Sequence, residues 1–305
     1  MDSVDLHGQV IDEPEPPVSA APDARSRAGG RAERWTVNRA PSGRFGGVDL
    51  AEAWAHRGLA LFLAQRTLTL RYRQTFFGVA WAVLQPLVAL AIFSVVFGRF
   101  ARLPADGIPY AVFVYPALCL WTYVSTSVAA SALELVEHQE LVTKVYFPRV
   151  LAPVAALLPG LVDLGISLVL VGAMMAITGV APGPAILLLP VWLVAAIVVA
   201  LGTGLWLAAL NIRFRDVRHT LPFMLQTWFF VSPIVYSSRV VDDETIRLLF
   251  AINPMVMVID GVRWSLLDAP APPVADVVSA VAALAVLVSG LVYFRAAERR
   301  FADVI

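Results

Sequence analysis

One lysine and one cysteine stand among 305 residues, and each scarcity excludes something. A Walker A loop needs a lysine after a glycine-rich turn. Lys144 sits in LVTKVYF with no glycine near it, so the chain has no P-loop and is not expected to hydrolyse ATP alone. With Cys119 the only cysteine, no intrachain disulfide and no cysteine metal cluster can form. Charge is also scarce. Charged residues make up 15% and hydrophobic residues 59% of the chain, far from an average soluble domain. The net charge is zero, so the total says nothing of partners and only its distribution can. His56, His138 and His219 fall in separate connectors without metal-ligand spacing. No catalytic residue, metal or cofactor is expected in this chain, and no nucleic acid partner.

What is abundant is apolar length. Gln74 to Gly98 is 25 residues without a charge, preceded by Arg71-Tyr72-Arg73. At 1.5 Å per residue such a stretch crosses a hydrocarbon core of about 30 Å. Pro86 within it is tolerated in a bilayer when neighbours satisfy the freed carbonyl. The same reading along the chain places six transmembrane helices at about 77–98, 109–133, 150–178, 185–210, 221–238 and 275–294. The expected fold is an all-α polytopic membrane protein. A shorter apolar piece from Leu248 to Ile259, interrupted by Asn253-Pro254, is too short to cross and suits an outer re-entrant or short helical segment. Residues 49–66 read as an amphipathic interface helix, with Leu50, Trp54, Leu61 and Ala64 on one side. These elements form one transmembrane domain, 49–305. Residues 1–48, acidic and then arginine-rich with little apolar content, read as a disordered cytoplasmic tail.

Charge asymmetry orients the spans. Twelve basic residues, from Arg57 to Arg300, fall in the connectors assigned to the cytoplasm. Five fall on the other side: Arg99, Arg102, Arg239, Arg247 and Arg263. The excess predicts that both termini are cytoplasmic.

Several segments carry a resemblance. RYRQTFFGVAWAVLQP (71–86), VFGRFA (96–101), GIPYAVFVYPALCLWTY (107–123), LVTKVYFPR (141–149), ALNIRFRDVRHTLPFMLQ (209–226), SPIVY (232–236) and INPM (252–255) occur in one order. Over roughly 48–300 the chain resembles the membrane subunit of ABC-2 type polysaccharide exporters, the group of O-antigen and teichoic-acid permeases. Arg66-Thr67 departs from the group's usual Arg-Asp. The resemblance implies a homodimer in the bacterial cytoplasmic (inner) membrane, with two copies of a separate ABC ATPase. ATP and magnesium would be bound by that ATPase. The implied cargo is a polyprenyl-diphosphate-linked glycan. The arginine-rich composition makes a galactan one possibility. An ABC-2 exporter of another lipid or drug, or a membrane enzyme acting on polyprenyl-linked sugars, is the alternative.

Candidate residues follow. The connector 134–149, ELVEHQELVTKVYFPR, is longer than a turn requires. The resemblance makes it the element that couples to the ATPase, through Glu134, Glu137, His138, Glu140, Lys144 and Arg149. Arg71, Arg73, Arg213, Arg215 and Arg218 either set topology or hold the lipid diphosphate and headgroups, since the planar guanidinium donates paired hydrogen bonds to phosphate. Phe93 and Phe97 in span one, with Trp228, Phe229 and Tyr236 in span five, are candidates for a glycan path, because a ring face packs on the C–H face of a sugar. Helix packing is the competing explanation for each ring. Asp163, the one acid within a span, reads as an interhelical hydrogen-bonding residue. Asp242-Asp243-Glu244 reads as a solvated outer loop.

Overall fold

The computed structural model describes residues 54–73, 80–137, 148–240 and 244–298. Among them the secondary structure is helical throughout. The helices are α1 (Arg57–Arg73), α2 (Ala80–Phe93), α3 (Tyr110–Glu137), α4 (Leu151–Thr178), α5 (Leu189–Arg213), α6 (Val217–Val231), α7 (Glu244–Ala251), α8 (Met255–Leu267) and α9 (Val277–Glu298). Five helical stretches are long and apolar enough to cross a membrane: Val83–Phe100, Tyr110–Glu137, Leu151–Thr178, Pro184–Arg213 and Val274–Glu298. They coincide with five of the six expected spans.

The first of these stretches does not stay α-helical. Ser94–Phe100 continues α2 as a π-helix, with the Ala101 amide donating to the Val96 carbonyl, five residues back, at 2.9 Å. Extra-wide turns of this kind are rare and cluster at functional places. Gly98 permits the close approach of α3, since a Cβ there would come 2.8 Å from the Tyr110 ring.

The segment expected as span five, 221–238, is not one helix. The helix α6 has 15 residues, about 22 Å at the helical rise. Proline explains the stop. Pro233 lacks an amide hydrogen, and a residue before proline is pushed out of the α region; Ser232 is extended, at φ −96° and ψ 146°. The Leu248–Ile259 piece is likewise broken at Asn253-Pro254, into α7 and α8. Most residues of α8 are buried in protein.

Of the expected apolar side of residues 49–66, Ala64 is buried, Trp54 and Leu61 are exposed, and Leu50 lies outside the described residues. The buried side of α1 is Ala60, Leu63 and Ala64, three positions that share a face at the 3.6-residue period. Ala60 and Leu63 belong to a cluster with Leu135 of α3, Leu151, Ala152 and Ala155 of α4, Leu205 and Ala208 of α5, and Phe294 of α9. This cluster gathers the C-terminal halves of α3, α5 and α9 and the start of α4 at one end of the bundle. A second, larger core runs along α3, α4, α5 and α8. Helices α5 and α9 cross closely at Gly202 and Gly290, where an added Cβ on Gly202 would sit 2.7 Å from the Leu287 backbone.

Candidate functional site

At the end where Glu137 lies, the connectors carry the expected charges. Helix α3 continues to Glu137, so Glu134 and Glu137 occupy its last turn. His138, Glu140 and Lys144 lie outside the described residues. Arg213 closes α5, and the chain turns through exposed Phe214, Arg215 and Asp216 into α6. Arg218, exposed on the first turn of α6, faces Glu137 at 3.9 Å. The arginine-rich turn and the start of the 134–149 connector therefore meet, through two residues 81 apart in the sequence. Arg149 has a different surrounding. Its Nη1 donates to the carbonyl of Glu298 at 3.3 Å, so it joins the start of α4 to the C-terminal end of α9, where carbonyls attract a cation. Arg71 and Arg73 stand on the last turn of α1.

The rings singled out in span one and span five are brought together, with one exception. Phe93 stacks on Phe97, centroids 5.5 Å apart, and meets Phe229 at 5.6 Å. Trp121 of α3 takes Trp228 and Phe229 edge-on, at 5.5 and 5.8 Å. Phe230 adds an edge contact to Phe229 at 5.3 Å. Offset and edge-on pairs at these separations are the favoured aromatic geometries. Tyr236 is the exception, and packs on Phe250 of α7 at 6.1 Å. Trp121 is part of the cluster and was not among the expected path residues.

Beyond the cluster, the broken segments lock each other. The non-helical, bent chain from Pro233 to Tyr236 leaves four carbonyls without helical partners, which would be costly away from water. Arg263 of α8, 2% exposed, takes three of them. Its Nη1 donates to Pro233 at 2.7 Å and Tyr236 at 3.2 Å, and its Nη2 to Ile234 at 2.7 Å. The Tyr110 hydroxyl donates to the fourth, Val235, at 2.8 Å. The Arg263 Nε reaches the Phe113 carbonyl at 3.3 Å, and its guanidinium lies 3.8 Å from the Phe113 ring centroid. Asp260 supplies the countercharge at 3.9 Å and accepts a hydrogen bond from Ser238. Burial lowers the Arg263 guanidinium to about 10, opposed by Asp260, Asp106 and Tyr110, so it stays cationic at neutral pH. Burial pushes the Asp260 carboxyl upward, opposed chiefly by Arg263. Arg263 is thus a buried structural cation and not an outer loop charge, which corrects its place in the charge asymmetry.

Asn253 completes the lock. Its Oδ1 accepts from the Met255 amide at 3.0 Å, which caps α8, and from Trp228 Nε1 at 2.8 Å. Its Nδ2 donates to Ser232 Oγ at 2.9 Å. Ser279 of α9 donates to the Asn253 carbonyl at 2.7 Å. The SPIVY and INPM segments are therefore two halves of one hydrogen-bonded joint. Sequence reading missed Arg263, although Asp260 three residues before it in an otherwise apolar helix was a signal. Asp163 is half-buried on α4. Asp242 and Asp243 lie outside the described residues. Among the described residues no group of three or more His, Cys, Asp or Glu could hold a metal ion.

The family model described as ABC-2 type transporter matches residues 59–267, from α1 to the last residue of α8. An O-antigen export system permease protein RfbA from Myxococcus xanthus is 33% identical over 206 residues, covering 67% of this chain and 78% of that protein. A protein of the same name from Klebsiella pneumoniae is 20% identical over 248 residues, covering 81% and 95%. A second from Klebsiella pneumoniae is 21% identical over 202 residues, covering 66% and 77%.

Proposed function

This chain belongs to the ABC-2 type transporter family, and we propose on that footing that it is the membrane permease subunit of an ATP-driven exporter moving polyprenyl-diphosphate-linked polysaccharide across a bacterial cytoplasmic membrane. The observation that carries this reading is the 33% identity to a permease named for O-antigen export. Five apolar helices make the chain a multi-pass membrane protein. The sixth crossing combines α6 with the bent, non-helical Ser232–Ser237 stretch, whose carbonyls are satisfied inside the protein as a bilayer demands. The functional unit is a homodimer with two ABC ATPase subunits, which bind the ATP and magnesium.

The end bearing Glu137 and Arg218 faces the cytoplasm. With Arg263 withdrawn from the outer tally, four arginines remain there, Arg99, Arg102, Arg239 and Arg247, which sharpens the positive-inside asymmetry. The 134–149 connector docks on the ATPase. Arg213, Arg215 and Arg218, with Arg71 and Arg73, meet the anionic headgroup layer and the lipid diphosphate. The ring cluster of Phe93, Phe97, Trp121, Trp228 and Phe229 lets sugar faces slide, because aromatic contact does not demand one sugar sequence. The alternatives of a lipid or drug exporter or a membrane enzyme draw no support from the named relatives.

The test is reconstitution of the chain in proteoliposomes with its partner ATPase and a lipid-linked glycan. The expected result is ATP turnover only with the partner present, and ATP-dependent passage of the glycan. Robust ATP hydrolysis by the chain alone, or glycan passage indifferent to ATP, overturns the reading.

A further inference from the structure

At the end of the bundle away from Glu137, a cavity of about 310 Å³ opens between α7, α8 and the chain leading into α9. It is lined by Ser238, Arg239, Arg247, Phe250, Val256, Ala271, Pro273 and Asp276. Its volume is at the lower end of the roughly 300–1,000 Å³ of small-ligand sites. Asp276 is 2% exposed, and its Oδ2 has no hydrogen-bond partner among the described residues. A buried acceptor left unmatched is expensive unless something else supplies the donor. The rim is built to stay open. Pro270, Pro272 and Pro273 stiffen the approach, and Arg239 Nη2 pins it by donating to the Ala271 carbonyl at 2.9 Å.

We infer that this cavity is a binding site for an uncharged saccharide ring on the outer face of the protein. The chemistry selects that class. An anion meets the Asp276 carboxylate, and a cation meets Arg239 and Arg247. A neutral polyol satisfies both, since its hydroxyls donate to Asp276 Oδ2 and accept from the arginines. Phe250, half-buried and backed by Tyr236 at 6.1 Å, offers the apolar surface that the C–H face of a sugar needs. Val256 closes the floor. The source of the ring is either the exported glycan, which rests on the function proposed above, or a free saccharide outside the cell. The site itself depends on neither.

The full chain in lipid nanodiscs is probed with methyl α-glucopyranoside, methyl α-mannopyranoside and methyl α-galactopyranoside by saturation-transfer NMR, with inorganic phosphate as a competitor. At least one glycoside is expected to bind, and phosphate to leave its signal unchanged. Asp276→Asn is expected to weaken binding. Ala271→Trp, at an exposed position whose carbonyl contact is backbone, is expected to weaken it roughly tenfold or more by filling the mouth without removing a polar partner. Binding unaffected by both variants, displacement by phosphate, or no binding of any glycoside overturns the site. An export assay on Ala271→Trp then separates the sources. Slowed export assigns the exported glycan and unchanged export a free saccharide, while loss of ATP-dependent export in the wild type defeats only the function proposed above.

Discussion

Arg263 shows how one side chain determines whether a broken segment is affordable. A helix that ends at Val231 inside an apolar protein exposes carbonyls that water cannot reach. The guanidinium answers three of them with a planar fork, and lysine, a point charge on a flexible stem, has no comparable geometry. Arg263→Leu is expected to destabilise the protein by about 3–5 kcal/mol, the usual cost of breaking a buried ion pair that leaves its partner charged. Arg263→Lys is expected to recover only part of that loss. Thermal unfolding of the detergent-solubilised chain checks both. A melting temperature unchanged in Arg263→Leu defeats the assignment. Arg149 carries a parallel lesson, since its bond to the Glu298 carbonyl makes it a joint between helices before it is a contact for any partner.

At the scale of elements, α6 is the piece that links a flexible-looking sequence to a specific geometry. Its aromatic side reaches α2 and α3 through Phe229 and Trp228, and its far end is held by Asn253 and Arg263. Trp228 is therefore a poor single probe of a sugar path, because removing it also breaks the bond to Asn253. Phe229 and Phe93 pack through ring and core contacts without a polar group to leave unpaired, and are the cleaner test. Phe229→Ala is expected to slow glycan export roughly fivefold, the equivalent of about 1 kcal/mol of ring contact, and Phe93→Ala to do the same. Abundance in the membrane and association with the ATPase are expected to persist. Vesicle export assays beside quantitative immunoblots make the comparison, and normal export in the double variant assigns the rings to packing alone.

For the whole molecule, the end of the bundle that bears Glu137 assembles pieces from five stretches of chain: α1, the end of α3, the start of α4, the α5–α6 turn and the end of α9. The Glu137–Arg218 pair at 3.9 Å is exposed on both sides, 49% and 58%. Pairs of that kind contribute about 0–1 kcal/mol to stability, so their use lies in alignment. Glu137→Arg is expected to leave the melting temperature nearly unchanged while lowering glycan-stimulated ATP turnover of the complex. Adding Arg218→Glu restores the pair with its charges exchanged and is expected to recover part of the turnover. Co-purification of the ATPase with each variant shows whether the loss is in docking or in coupling. Equal turnover in all three proteins removes the pair from the coupling path.

Local pattern made the apolar architecture legible. Charge-free runs set by bilayer thickness located five spans, and Asn253-Pro254 marked an interruption, because a missing amide acts on its own neighbours. Pro233, where α6 stops, was read through as part of the expected span 221–238. The single lysine in a glycine-free segment already excluded a P-loop. The composition of the ring cluster was partly legible, as aromatic density in two spans, but Trp121 joined it only through helix packing. What tertiary structure alone decided are the pairings across long separations. Arg263 meets Phe113, 150 residues earlier in the chain, and Arg149 meets Glu298 across 149. Periodicity carries no information at such distances. It assigned the apolar side of the first helix to Leu50, Trp54, Leu61 and Ala64; of these Ala64 is buried, and packing against the bundle buries Ala60 and Leu63 beside it while Trp54 and Leu61 stay exposed.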